Sequence, residues 1–103
     1  SNSLDGSIPS EIGQCTKLSL LDLALNSLDG SIPSEIGQCK NITWLNLSSN
    51  SLIGSIPSEI GALTNLADFY LSNTNLHGTI PESLCNQGSL VYVVDQNVDC
   101  SCC

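Results

Sequence analysis

The chain has 103 residues, room for one small domain, and a formal net charge of -8, with Lys17 and Lys40 as its only basic residues against ten acids. That balance argues against nucleic acid and against an anionic membrane surface, both of which need clustered Lys and Arg. The longest apolar stretch, Leu90 to Val94, is far too short to insert into a bilayer, and no cationic-then-apolar leader opens the chain.

From Leu4 onward one phrase recurs every 24 residues. It reads Leu4-Asp5-Gly6-Ser7-Ile8-Pro9, then Leu28-Asp29-Gly30-Ser31-Ile32-Pro33, Leu52-Ile53-Gly54-Ser55-Ile56-Pro57 and Leu76-His77-Gly78-Thr79-Ile80-Pro81. Asn2 to Cys15 is identical to Asn26 to Cys39. A fixed period of this length marks a solenoid, whose units cannot bury their apolar faces alone and must stack. The repeats are assigned to residues 1–94, with the first copy partial and copies starting near 4, 28, 52 and 76. Residues 95–103 are assigned to a cysteine-rich C-terminal cap.

The elements follow in order along one copy. After Pro, which fixes φ and lacks an N–H, comes Ser34-Glu35-Ile36-Gly37 or Ser58-Glu59-Ile60-Gly61. This reads as a short helical turn opened by Ser and an acid and closed by Gly. Leu45-Asn46-Leu47 then alternates with the period of a half-buried strand. Asn26 and Asn50 follow at the bend, as an amide ladder able to satisfy backbone groups of its own turn and the next. The equivalent positions are Thr74 and Val98, where the ladder weakens. A second extended segment around Gly-x-Ile-Pro completes the copy. The inward columns include Leu4/Leu28/Leu52/Leu76, Cys15/Cys39/Leu63, Leu18/Ile42/Leu66/Leu90 and Leu21/Leu45/Phe69/Val93.

The run Leu18-x-x-Leu21-x-Leu23-x-x-Asn26-x-Leu28-x-Gly30-x-Ile32-Pro33 resembles the plant-type leucine-rich repeat, over nearly the whole chain from Asn2 to about Val94. The resemblance implies an α/β repeat solenoid. It would be a right-handed superhelix with a parallel β-sheet on its concave side and short 3-10 or helical turns on its convex side. It also implies kinship with ectodomains of receptor-like kinases and receptor-like proteins, and with secreted inhibitors of hydrolases. No cysteine-bearing N-terminal cap is present, which departs from that family's pattern.

The six cysteines separate into two sets. Cys15 and Cys39 read as small core residues. Cys85, Cys100, Cys102 and Cys103 read as disulfides holding down the final copy, which places the chain in an oxidising compartment. Adjacent Cys102 and Cys103 suit each other poorly, so one is expected to pair outside the cluster. A zinc site is the rival reading, against which stands the Cys-x-Cys-Cys spacing. Asn41-Ile42-Thr43 and Asn46-Leu47-Ser48 are glycosylation candidates, with Asn41 the better placed.

No catalytic constellation, cofactor site or resident metal site is read from the sequence. His77 is the only histidine, and Glu11/Glu35/Glu59 fit solvated acids at the head of each turn. The binding candidates are the outward residues of the concave strands. These form the columns Leu20/Trp44/Asp68/Tyr92, Asp22/Asn46/Tyr70/Val94 and Ala24/Ser48/Ser72/Gln96. They gather the only Trp and both tyrosines beside acids, as protein interfaces favour. The expected function is non-catalytic recognition of a neutral or basic protein or peptide by part of an extracellular receptor-like protein or kinase. Neighbouring repeats of a parent chain are expected partners, and any membrane anchor would lie outside the segment. The alternatives are a secreted hydrolase inhibitor and, from the hydroxyl column Ser7/Ser31/Ser55/Thr79, an ice- or surface-binding protein.

Overall fold

A computed structural model describes residues 4–93, 95 and 97–103. Each copy makes one turn of a solenoid. The Leu-x-Leu segments form β2 (Leu20–Asp22), β4 (Trp44–Asn46), β6 (Asp68–Tyr70) and β8 (Leu90–Tyr92), parallel and paired in that order. The Gly-containing segments form a second parallel layer. In it β1 (Asp5–Ser7) pairs with β3 (Ser27–Asp29), and β5 (Ile53–Ser55) pairs with β7 (Asn75–Thr79), which in turn pairs with β9 (Val98–Asp99). Bonds from Ser51 N to Leu28 O (2.8 Å) and Ile53 N to Gly30 O (2.9 Å) carry this layer across from β3 to β5. Three 3-10 helices, Ser10–Gln14, Ser34–Gln38 and Ser58–Ala62, and one α-helix, α1 (Glu82–Asn86), connect the layers.

Apolar residues at alternate strand positions meet in one core, where Ile36, Ile42, Leu45, Leu47, Phe69 and Leu71 are fully buried. The turns differ from the capping scheme read in the sequence. Pro33 is extended (φ -70°, ψ 142°) and no side chain caps the helix; the Pro33 carbonyl instead accepts Ile36 N at 3.1 Å. Gly37 lies inside the turn rather than closing it. A Cβ there would stand 2.5 Å from the Glu59 carbonyl of the next copy, so glycine is needed for close approach between turns.

The amides at the bend tie copies together. Asn50 is buried; its Oδ1 accepts Leu28 N (3.1 Å), while its Nδ2 donates to Leu23 O (2.8 Å) and Leu47 O (3.2 Å). Asn26 does the same one turn earlier, accepting Leu4 N at 3.1 Å. Beside them Leu25, Ser49 and Asn73 all take φ near +60°, a left-handed bend made without glycine.

The last copy is shorter, and this corrects its register. Strand pairing steps by 24 residues from Trp44 to Asp68 but by 22 from Asp68 to Leu90. Two residues are lost between α1 and β8. Leu90 is therefore exposed, Val91 rather than Val93 is buried opposite Phe69, and Tyr92 stands opposite Tyr70. Val98 does not replace the bend Asn. It is buried, and it pairs with Gly78 as Leu76 pairs with Gly54, so it continues the Leu76 column. Asp95 does not stand in for a core Leu; it accepts Asn73 N (3.0 Å) and Thr74 N (3.2 Å) of the copy before. Gln87 and Ser89 replace apolar residues of the earlier connections and bond the Leu66 carbonyl, at 3.2 and 2.6 Å, closing the exposed end of the stack with polar groups.

Candidate functional site

The parallel register of β4, β6 and β8 places three aromatic side chains in one run on the concave face. Tyr70 and Tyr92 are directly paired and stack face to face, with ring centroids 4.4 Å apart and planes 7° apart. Trp44 joins diagonally, its ring 5.2 Å from that of Tyr70 and tilted by 50°. Such contacts fix ring orientation before any ligand arrives. The Tyr92 phenol is held above its usual pKa, first by desolvation and then by the Tyr70 phenol and the Asp68 carboxylate.

Around this run the two outward columns become Leu20/Trp44/Asp68/Leu90 and Asp22/Asn46/Tyr70/Tyr92. Leu20 and Leu90 are each more than half exposed, so apolar side chains flank the aromatics at both ends of the sheet. Leu90 was hidden from sequence reading by the two-residue shortening. The polar members are partly committed: Asp22 Oδ1 accepts Ala24 N (3.1 Å) and Asn46 Oδ1 accepts Ser48 N (3.0 Å), each bracing the end of its own strand. Neither lysine lies in these columns, so the face carries Asp22 and Asp68 without a cation. Val94 and Gln96, also named as outward residues, lie outside the described residues.

The bend beyond this face opens into a groove of about 350 Å³ lined by Asn26, Ser49, Asn50, Asn73 and Thr74, whose side chains hold the turns together. Both sequons are visible. Asn41 is exposed, and its Nδ2 donates to Thr16 O at 2.7 Å; Asn46 is half-buried on the concave face.

The terminal cysteines form Cys85–Cys102 and Cys100–Cys103, so all four pair within the cluster and the expectation of an outside partner is corrected. Cys15 and Cys39 are free thiols: Cys39 is buried and donates to Ile12 O at 2.8 Å, while Cys15 is exposed at the open edge. Burial, and then Cys15 nearby, push the Cys39 thiol pKa up. On the second layer the hydroxyl column is not a straight ladder. Its strands pair two residues out of step with the repeat, so Ser7 faces Asp29 and Ser55 faces His77. No helix among the described residues is long and apolar enough to cross a membrane.

The family described as Leucine Rich Repeat matches residues 17–39, 41–63 and 65–87. Among solved structures, the chain is similar to a chain of the crystal structure of PEPR1-AtPEP1, with 32% identity and a TM-score of 0.85 over 98% of this chain and 14% of that one. It is also similar to the structure of the Arabidopsis receptor kinase HAESA with the peptide hormone IDA and the co-receptor SERK1, with 33% identity and a TM-score of 0.79 over 93% and 16%. A plant ice-binding protein matches at 33% identity and a TM-score of 0.78 over 94% and 31%. The chain thus spans less than a third of the length of each of these. No curated protein sequence matches it significantly.

Proposed function

From a chain that belongs to the leucine-rich repeat family, we propose a non-catalytic recognition module that binds an extended peptide or a protein segment across its concave sheet. The carrying observation is the pre-arranged run Trp44–Tyr70–Tyr92, flanked by exposed Leu20 and Leu90 and bordered by Asp22 and Asp68. Aromatic anchors already held by one another lose little freedom on binding, which is how a few residues come to dominate an interface. The tyrosines are turned face to face, and Tyr92 is exposed on the same surface. The acids, with no lysine among them, favour a neutral or basic partner. Similarity to receptor ectodomains solved with a peptide hormone and a co-receptor supports this reading and an extracellular setting, to which two disulfides are suited. A role within a receptor-like protein or kinase, glycosylation at Asn41, and the alternative of a secreted hydrolase inhibitor belong to the same proposal. An N-linked glycan leaves Asn41 one N–H with which to keep its bond to Thr16 O.

A displayed library of random peptides tests it. Binders selected on the chain should be enriched in Lys or Arg and should lose at least tenfold in affinity against Trp44→Ala and Tyr70→Ala chains that keep the native circular dichroism. Equal binding to both variants would remove the concave face from the proposal.

A second reading, surface adsorption by the Ser7/Ser31/Ser55/Thr79 column, is favoured by likeness to the ice-binding protein. The register opposes it, because hydroxyls alternate with Asp29 and His77 across neighbouring strands. Thermal hysteresis in purified chain that is lost on Ser31→Tyr would reinstate it.

A further inference from the structure

We propose that the C-terminal cap is a redox-exchangeable clasp: once its two disulfides are reduced, Cys85, Cys100, Cys102 and Cys103 close on a single zinc ion. Cys85 stands on α1, and the other three arrive on the segment that follows β9. The sulfurs of Cys85, Cys100 and Cys102 lie within 4.8 Å of one another, and the Cys103 sulfur is bonded to that of Cys100. A tetrahedral zinc site with Zn–S bonds of about 2.3 Å sets its sulfurs about 3.8 Å apart, so Cys85, Cys100 and Cys102 need shift by on the order of an ångström, while Cys103, which lies outside that close group, must swing in further once its bond to Cys100 opens. The spacing objection raised by the Cys-x-Cys-Cys run also falls away, since Cys100 and Cys103 are themselves separated by two residues, the interval common in structural zinc sites.

The segment carrying these ligands is placed by more than sulfur. Gly78 N donates to Asn97 O (3.1 Å) and Ile80 N to Asp99 O (2.8 Å), so β9 stays docked on β7 when the disulfides open. The Ser101 hydroxyl bonds the Glu82 carboxylate and lies 3.6 Å from the Cys85 sulfur, a polar neighbour of the kind that orients a thiolate ligand. Thiolates select zinc or a comparably soft ion over calcium or magnesium.

The chemistry balances in two stages. Each disulfide takes two electrons and two protons from a dithiol, which leaves as its cyclic disulfide. The four thiols then bind Zn²⁺ as thiolates and release four protons, so zinc is lost in acid and opposes reoxidation when bound. The end of the solenoid would remain closed on either side of a change in redox environment.

The full chain carrying Cys15→Ser, reduced with excess dithiol and then freed of it under argon, should bind one Co²⁺ per molecule. The intense visible bands of tetrahedral cobalt and thiolate charge transfer should both appear, and equimolar Zn²⁺ should abolish them. Cys85→Ser and Cys102→Ser should each lose the tetrahedral spectrum. In the parent, the C-terminal segment should resist protease when oxidised, lose that resistance on reduction and regain it when zinc is added. Absence of charge transfer at equimolar cobalt, or a spectrum unchanged in both serine variants, would overturn the proposal. So would a reduced terminus that stays protease-sensitive with zinc present.

Discussion

Two stretches of this chain have the same sequence and different surroundings. Leu4 is 50% exposed, whereas its counterpart Leu28 is 5% exposed. Cys15 is exposed and Cys39 fully buried; Ile12 is half-buried and Ile36 completely so. Sequence and local conformation are held constant, so the difference comes from the preceding turn on which the second stretch packs. In a stacked array, stability belongs to the interfaces between copies, and a residue's role is set by its neighbour. The opposite end makes the same point: Gln87, Ser89 and Asp95 meet the carbonyls and amides of the previous turn, and two disulfides join α1 to the C-terminal segment and close that segment on itself.

The largest expected effect sharpens the pair directly. Leu28→Ala should cost about 2–5 kcal/mol in urea unfolding, as for a buried leucine, and Leu4→Ala less than about 1 kcal/mol. Equal losses would break the comparison. Next comes the fastened end. Opening Cys85–Cys102, which spans 17 residues, by Cys85→Ala should cost about 3 kcal/mol, where Cys15→Ala should change stability by about 0.5 kcal/mol or less. Asn50→Ala strands the buried Leu28 N–H together with the Leu47 carbonyl, while Leu23 O keeps its bond from Asn26 Nδ2 (3.0 Å), and should cost about 1–3 kcal/mol. Asn26→Ala exposes its groups to water at the open edge and should cost less. The smallest effect is on pH. The Cys39 thiol has a folded pKa above its unfolded one, so its contribution is complete below the unfolded value, about 8.5, and is lost as pH rises through the folded value. Between the unfolded and the folded value, stability should fall with pH more gently in Cys39→Ala than in the parent.

Much of this was legible because the repeat is its own alignment. The Leu-x-Leu alternation gave the concave strands, and the columns gathered Trp44 and Tyr70 on one face. What escaped did so for physical reasons. Gly37 resembles a helix stop, and its need for close approach appears only when the next turn is in place. The left-handed bend at Leu25 carries no glycine to announce it. The two-residue shortening before β8 is silent in a terminal copy whose signature residues have already decayed, so Leu90, Tyr92, Asp95 and Val98 were each read one pleat out of place. That shift is what sets Tyr92 on Tyr70 and makes the aromatic run continuous.

The central claim, that a neighbouring turn and not the residue's own sequence decides its state, is tested most directly by native-state alkylation of the two free thiols, resolved by peptide mass. Cys15 should react at the rate of an accessible thiol, and Cys39 only through opening of the stack, at least a hundredfold more slowly at neutral pH and accelerated by Leu28→Ala. Comparable rates at Cys15 and Cys39 in the folded chain would contradict the account.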